Sequence, residues 1–327
     1  MKSIAYIIPY FGRLPENFEF WLLTCSKNPT INWIIFTDDT RSFNLPSNVK
    51  IINMTFEKIK KRIQSNYDFK IVIDRPWKLC DFKVAYGEIF KKELEEYDYW
   101  GYCDLDLAWG DIRKFITDEI LQKYEKIGFQ GHSTIFKNTP EVNARYKKIT
   151  ERLPTYKEIF STSKGYAFDE GIICEIYDEM NIPYYKETNF AHLSKYDYGF
   201  VLRHLPKEYE FKNNRQIFIW DDGKIIRKYL YNRQIFSEEF MYIHFFCRPM
   251  TYKIKEYDET KKYVMYADVT EELKVPISYE YINKKGKSSK IKYYTKSIYY
   301  NRKKLTPKRI AKNVKTFMRY KQQKKEL

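Results

Sequence analysis

Four short apolar runs separated by helix-like segments constrain this chain more than any other feature. Ser3–Tyr10 (SIAYIIPY), Trp33–Phe36, Val49–Met54 and Tyr99–Cys103 are bounded by turn residues and read as buried strands. Between them, Glu16–Ser26 carries an apolar stripe of Phe20, Trp21 and Leu23, and Thr55–Ser65 is basic and amphipathic. Trp77–Glu95 predicts one long helix. Strands alternating with helices predict an α/β fold with a doubly wound, mostly parallel, Rossmann-like sheet. Such sheets bind ligands outside the carboxyl ends of their strands. The polar groups that matter are therefore those just after strands: Pro9-Tyr10-Phe11, Thr37-Asp38-Asp39 and Asp104-Leu105-Asp106. Further on, Gly128–Phe136 predicts another strand, and Phe168–Met180 a helix that opens on an acidic turn. Glu208–Asp222 and Lys224–Asn232 predict a hairpin turning at Asp222-Gly223, and Phe240–Phe246 a late strand.

Charge divides the chain. From Lys274 to Leu327 lysine and arginine outnumber acids 18 to two, so the whole net charge of +16 lies there and the first 273 residues balance. Residues 1–273 are thus one α/β domain, and residues 274–327 a basic, largely helical extension, with Ile310, Val314, Phe317 and Met318 on one face of Pro307–Lys321. Cations interleaved with apolar side chains suit an anionic membrane surface, each contributing about 1 kcal/mol. No stretch approaches the roughly 20 apolar residues of a membrane span. Five scattered cysteines without a C-x-x-C pair read as reduced thiols. Together these predict a cytoplasmic protein, peripheral on the inner face of the cell membrane.

The sharpest chemical signal is Tyr99-Trp100-Gly101-Tyr102-Cys103-Asp104-Leu105-Asp106. An apolar strand delivers carboxylates at i and i+2, on the same side of an extended backbone. Such a pair suits a hard divalent ion, Mg²⁺ or Mn²⁺, that also ligates substrate phosphates. No G-x-x-x-x-G-K-[ST], G-x-G-x-x-G, G-x-S-x-G or H-E-x-x-H segment occurs, which leaves P-loop, Rossmann dehydrogenase, hydrolase and zincin readings without support.

PYFG near the start, FTDD after the second strand, KLCDFKVAYGEIF ahead of the acidic pair, GYCDLDLAWGDI at it and IHFFCRP late in the chain together resemble GT-A glycosyltransferases. Within that group they resemble bacterial capsule and lipopolysaccharide transferases. The resemblance covers the body and not the tail. It implies a GT-A sheet, a nucleotide-sugar donor (UDP-linked), Mn²⁺ or Mg²⁺ as cofactor, and a surface polysaccharide or lipid-linked glycan as acceptor. It implies base and ribose contacts for Tyr10, Phe11, Thr37 and Asp38, and donor contacts for Lys78, Asp81 and Lys83. Asp104 and Asp106 match the metal pair, Asp104 lying against the donor as well. IHFFCRP resembles the late His-Phe…Lys-Pro segment of glycogenin-like retaining transferases, which implies His244 as a third metal ligand and Arg248 at the diphosphate. Asp169 and Glu170 sit where GT-A folds turn an acid toward the acceptor, as a base in an inverting reaction or a hydroxyl ligand in a retaining one. His132 then lines the sugar pocket.

Each residue has a plainer reading. His244 in an apolar strand suits a core histidine, and Lys78, Asp81 and Lys83 suit helix surface charges. Tyr10 and Phe11 suit the core, and Asp169 and Glu170 suit a helix N-terminus, where the dipole favours acids. A nucleic-acid-binding protein, or a metal-dependent nuclease using Asp104 and Asp106, is the rival class for so basic a tail. The neutral body argues against it, because a nucleic-acid active site needs positive charge around its metal.

Overall fold

The computed structural model describes residues 1–194, 198–204, 215–248, 250–254 and 256–289, with 291, 292, 294, 295 and 298 beyond them. In chain order the first strands are β1 (Ile4–Pro9), β2 (Ile31–Thr37), β3 (Val49–Asn53), β4 (Tyr99–Cys103), β5 (Leu107–Trp109), β6 (Lys126–Gln130) and β7 (Ser133–Lys137). Then follow β8 (Phe190–His192), β9 (Gln216–Asp221), β10 (Lys224–Tyr231), β11 (Gln234–Phe240), β12 (Tyr242–His244), β13 (Thr251–Tyr252), β14 (Tyr263–Tyr266) and β15 (Val269–Glu272).

The first sheet has the order β3-β2-β1-β4-β7-β6. Its first four strands are parallel, and β7 and β6 complete it antiparallel. Alternation along β1 sends Ala5 and Ile7 into one core and Ile4, Tyr6 and Ile8 into the other. Helix Phe18–Ser26 covers the second core with Phe18, Trp21 and Leu22, and helix Phe56–Gln64 covers the first with Ile59 and Ile63. Thr55 caps that second helix by accepting from Lys58 N–H. Both faces are covered, so the sheet is doubly wound and the fold is α/β. The chain runs outward from β1 through β2 to β3, then returns to place β4 on β1's other side. The carboxyl ends of β1 and β4 therefore flank the crevice where such sheets bind ligands.

Several elements depart from the sequence expectation. Trp77–Glu95 is not one α-helix: a 3-10 run over Pro76–Ala85 is followed by short turns at Tyr86–Ile89 and Lys91–Leu94. A 3-10 turn eclipses residues i and i+3, which sets Lys78 over Asp81, and the buried residues of this run leave no free polar face. Gly128–Phe136 is not one strand but the β6–β7 hairpin, turning at Gly131-His132. Phe168–Ile172 is a π turn preceding helix Ile173–Glu179, and Ala167 before it is left-handed at φ 52°. The late strand is shorter than Phe240–Phe246, β12 being Tyr242–His244 alone.

A second sheet, β11-β10-β9-β14-β15-β13, is antiparallel apart from the β13–β15 pair. It contains the predicted hairpin, with residues 222 and 223 at its turn. The upstream end of the predicted strand, Glu208 to Asn214, lies outside the described residues. A third sheet, β5-β12-β8, stands between the other two. Its residues Ala108, Ala191 and Ile243 face the second sheet's core, while Trp109, Phe190 and Tyr242 face the first.

The start of the basic extension packs on the second sheet. Helix Tyr279–Lys285, capped by Ser278, buries Ile282 completely against Ile217, Ile219 and Val264. The Pro307–Lys321 segment lies outside the described residues. Among the described residues no helix is long and apolar enough to cross a membrane. Ile282→Ala is expected to cost about 2–5 kcal/mol in urea denaturation, whereas Lys284→Ala on the exposed side of the same helix stays within ~0.5 kcal/mol.

Candidate functional site

Beyond β4, alternation carries Tyr102 and Asp104 to one side and Cys103 and Leu105 to the other, into different cores. Asp104 N–H donates to the His132 carbonyl at 3.0 Å, which fixes the strand end to the hairpin tip. Lys83 then reaches in from the 3-10 run. Its Nζ donates to Asp104 Oδ1 (2.7 Å) and to the Gly131 carbonyl (2.8 Å), and lies 3.1 Å from Asp169 Oδ2. Gly131 is required there, because a Cβ would sit 2.4 Å from Asp169 Oδ2. Burial alone would lower the Lys83 pKa, but Asp104 and Asp169 together raise it well above the ordinary lysine value. Burial pushes the Asp169 carboxyl up to about 6 against the pull of Lys83. Glu170, beside it, is exposed.

Asp104 and Asp106 each have one oxygen committed to the protein. Lys83 holds Asp104 Oδ1, and Cys247 N–H donates to Asp106 Oδ2 at 2.5 Å. Their other oxygens turn toward one imidazole: His244 Nε2 is 3.3 Å from Asp106 Oδ1 and 4.0 Å from Asp104 Oδ2. One ligand atom from each of the three lies within 4.8 Å of the others. The side chains of the two carboxylates are 35% and 25% exposed and that of His244 is 5%, so the cluster opens to solvent on its acidic side. Two carboxylates and one imidazole are a donor set that fits Mn²⁺ or Mg²⁺, with room for substrate oxygens. Burial alone would raise the Asp106 pKa, but His244 and the Cys247 N–H hold it below the ordinary carboxylate value.

The third sheet explains how His244 arrives. β12 pairs antiparallel with β5, setting His244 opposite Leu107, directly after Asp106. On its other edge β12 pairs parallel with β8, setting His244 opposite His192. Sequence reasoning missed His192, although its spacing from Phe190 mirrors that of His244 from Tyr242. His132, at the hairpin tip, has its ring centroid 4.2 Å from that of His244, the two planes tilted by 40°, and lies in hydrogen-bond contact between His192 Nδ1 (3.2 Å) and Tyr242 OH (2.9 Å). Burial, and then the neighbouring imidazoles, lower the pKa of His132 well below the usual histidine value and that of His192 to about 3. All four histidines of the chain gather here, His204 packing on His192 at 5.4 Å.

The remaining expected residues fall into two groups. Tyr10 is half-buried beside the cluster, its phenol pKa raised by burial and then by Asp106. Asp38 is exposed and accepts from Gly12 N–H at 2.7 Å, tying together the loops after β1 and β2. The others are built into the scaffold. Phe11 sits in the core against Phe56, and Thr37 is fully buried, its hydroxyl accepting from Asp39 N–H. Lys78 is fully buried, donating to Asp81 Oδ2 (2.8 Å) and to the carbonyls of Ile159 (2.9 Å) and Lys164 (2.7 Å). Asp81 also accepts from Tyr166 and Phe168 N–H, so the pair anchors the approach to Asp169. The Arg248 guanidinium donates to the carbonyls of Ala267, Ser194 and Gly199, joining the segment after β8 to the second sheet.

The family model DUF6625, described as a family of unknown function, matches residues 6–274, and so contains every residue of this site. The chain belongs to that family. No curated protein matches it in sequence. Among solved structures, a galactosyltransferase, LgtC, in complex with donor and acceptor sugar analogues is similar at 8% identity and a TM-score of 0.34, covering 59% of this chain and 77% of that one. Mouse xyloside xylosyltransferase 1, apo form, is similar at 11% identity and 0.33, covering 59% and 88%.

Lys78→Met leaves Asp81 buried without its cation, and is expected to lower stability by about 3–5 kcal/mol. A variant that keeps its melting temperature and loses only nucleotide affinity would instead put Lys78 at the donor.

Proposed function

We propose that this chain is a metal-dependent glycosyltransferase that moves a sugar from a nucleotide donor, UDP-linked, to a surface polysaccharide or lipid-linked glycan. The observation that carries this reading is the convergence of Asp104 Oδ2, Asp106 Oδ1 and His244 Nε2 at the switch point of a doubly wound sheet. Transfer from a nucleotide sugar leaves a diphosphate, and Mn²⁺ or Mg²⁺ held by these three side chains supplies Lewis-acid neutralisation of that leaving group. The protein's own contribution is to hold the donor atoms ready. Lys83 and the Cys247 N–H each fix one carboxylate, so little reorganisation remains when ligand arrives. In this reading Tyr10, half-buried on the rim at the end of β1, meets the nucleotide.

The acceptor side follows from Asp169 and Glu170. Asp169 is buried against Lys83 and acts as a positioning residue that fixes the ammonium. Glu170, its exposed neighbour, is the carboxylate open to an acceptor hydroxyl, and serves as base or hydrogen-bond partner there. The basic extension holds the enzyme at an anionic membrane surface, near lipid-linked acceptors.

Asp104→Asn and Asp106→Asn should each abolish Mn²⁺-dependent UDP binding in calorimetry; Asp106→Asn leaves the melting temperature near wild type, whereas Asp104→Asn also lowers it, because buried Lys83 loses one of its two counter-charges. His244→Ala should weaken that binding about 10- to 100-fold, or ~1–3 kcal/mol. Unchanged affinity in all three would remove the metal role. A hydrolysis screen across UDP-, GDP- and CMP-sugars with Mn²⁺ tests the donor. Co-sedimentation with anionic vesicles, lost as salt shortens the Debye length from about 8 Å, tests the extension; binding to RNA in preference to vesicles would overturn it.

A further inference from the structure

Behind the carboxylate pair three imidazoles form a cluster of which the proposed transfer uses only His244. His132, His192 and His244 are 1%, 4% and 4% exposed. One ring nitrogen of each lies within 4.8 Å of the other two. Two nitrogens have no hydrogen-bond partner, His192 Nε2 and His244 Nδ1. A buried polar atom left unpaired is costly, and here two occur in adjacent rings set side by side by strand register. An ion held through His192 Nδ1 leaves Nε2 to carry that ring's proton, and His244 Nδ1 is the nitrogen left without a partner in the cluster.

The geometry points to a second metal site, made of nitrogen alone, in which His132, His192 and His244 bind a borderline-soft divalent ion such as Zn²⁺. His132 Nε2 and His192 Nδ1 are 3.2 Å apart. Two nitrogens each ~2.0–2.1 Å from one tetrahedral ion would be about 3.3 Å apart, so this pair already has ligand spacing. Tyr242 OH holds the other nitrogen of His132 at 2.9 Å, the kind of partner that orients a metal-bound imidazole. Three protein ligands leave a fourth position open. Ligand chemistry separates the two sites: imidazole favours zinc and its neighbours, while the carboxylates of Asp104 and Asp106 favour Mg²⁺ and Mn²⁺. His244 belongs to both sets. On binding, the ring that donates in the His132–His192 contact moves that proton to its other nitrogen, so both imidazoles stay neutral and each turns a lone pair to the ion.

This inference stands on the histidine cluster and not on the transferase reading, and binding alone tests it. The full-length chain, stripped of metal, is titrated with Co²⁺, whose four-coordinate nitrogen complexes absorb visible light more strongly than six-coordinate oxygen complexes. Zn²⁺ then displaces it. Wild type should bind one Co²⁺ with the intense spectrum and lose it to Zn²⁺. His192→Ala should weaken that binding by more than the roughly 10- to 100-fold typical of losing a supporting partner, while Mn²⁺ binding, read by electron paramagnetic resonance, changes less than about twofold. Asp106→Asn should do the reverse, losing Mn²⁺ and keeping the intense Co²⁺ spectrum. Tyr242→Phe keeps the ring packing and should lower Zn²⁺ affinity about tenfold, which serves if His192→Ala unfolds. Intense Co²⁺ binding that survives His192→Ala, or that disappears with Asp106→Asn, overturns the nitrogen site. Absence of Mn²⁺ binding with the His192-dependent Co²⁺ spectrum intact would sink the transferase reading and leave this one standing.

Discussion

One buried ammonium holds this site together. Lys83 joins the end of β4 through Asp104, the β6–β7 hairpin tip through the Gly131 carbonyl, and the π turn through Asp169. These three segments are far apart in the chain and have no common strand. A lysine cation this deep is tolerable only when its charge is matched and its protons are all placed. Two carboxylates and a carbonyl meet that condition, so the positions of Asp104 and Asp169 are each a requirement of the other. The glycine at 131 follows from the same contact, since any Cβ there would displace Asp169.

A second ion pair does comparable work one turn earlier. Lys78 and Asp81 collect carbonyls and N–H groups from the segment that leads into the π turn. The 3-10 winding of this stretch matters, because it stacks residues three apart and lets Lys78 and Asp81 share one burial site while Lys83 points elsewhere. The left-handed Ala167 and the π turn after it are local strain that these hydrogen bonds hold in place. On the opposite wall the three-stranded sheet acts as a splint. It sets β12 between β5 and β8, so that one strand register fixes His244 against both Asp106 and His192.

Much of this was legible in the chain, and the legible part is local. Strands β1 to β4 announce themselves by short apolar runs, and the doubly wound α/β reading follows from their alternation with helices. Asp104 and Asp106 are legible because i, i+2 spacing at a strand end is a property of extended backbone, whatever surrounds it. The boundary in charge at residue 274 is equally plain, although the packing of Ile282 on the second sheet is not.

What only the tertiary structure decided depends on contacts between distant segments. Periodicity predicts a long helix over Trp77–Glu95, but burial on all sides and the Lys78–Asp81 pair wind it as 3-10 turns. Lys78 and Arg248 look like ligand contacts in sequence, yet Lys78 donates to Asp81 and to two distant carbonyls, and Arg248 donates to the carbonyls of Ala267, Ser194 and Gly199. His192 carries no motif of its own, and its place beside His244 and His132 exists only because β8 and β12 pair in register. Sequence by itself determined which polar side chains stand together at strand ends, since that follows from backbone period. Which of them share a site was decided by sheet order and strand register, because those set distances between residues that lie far apart in the chain.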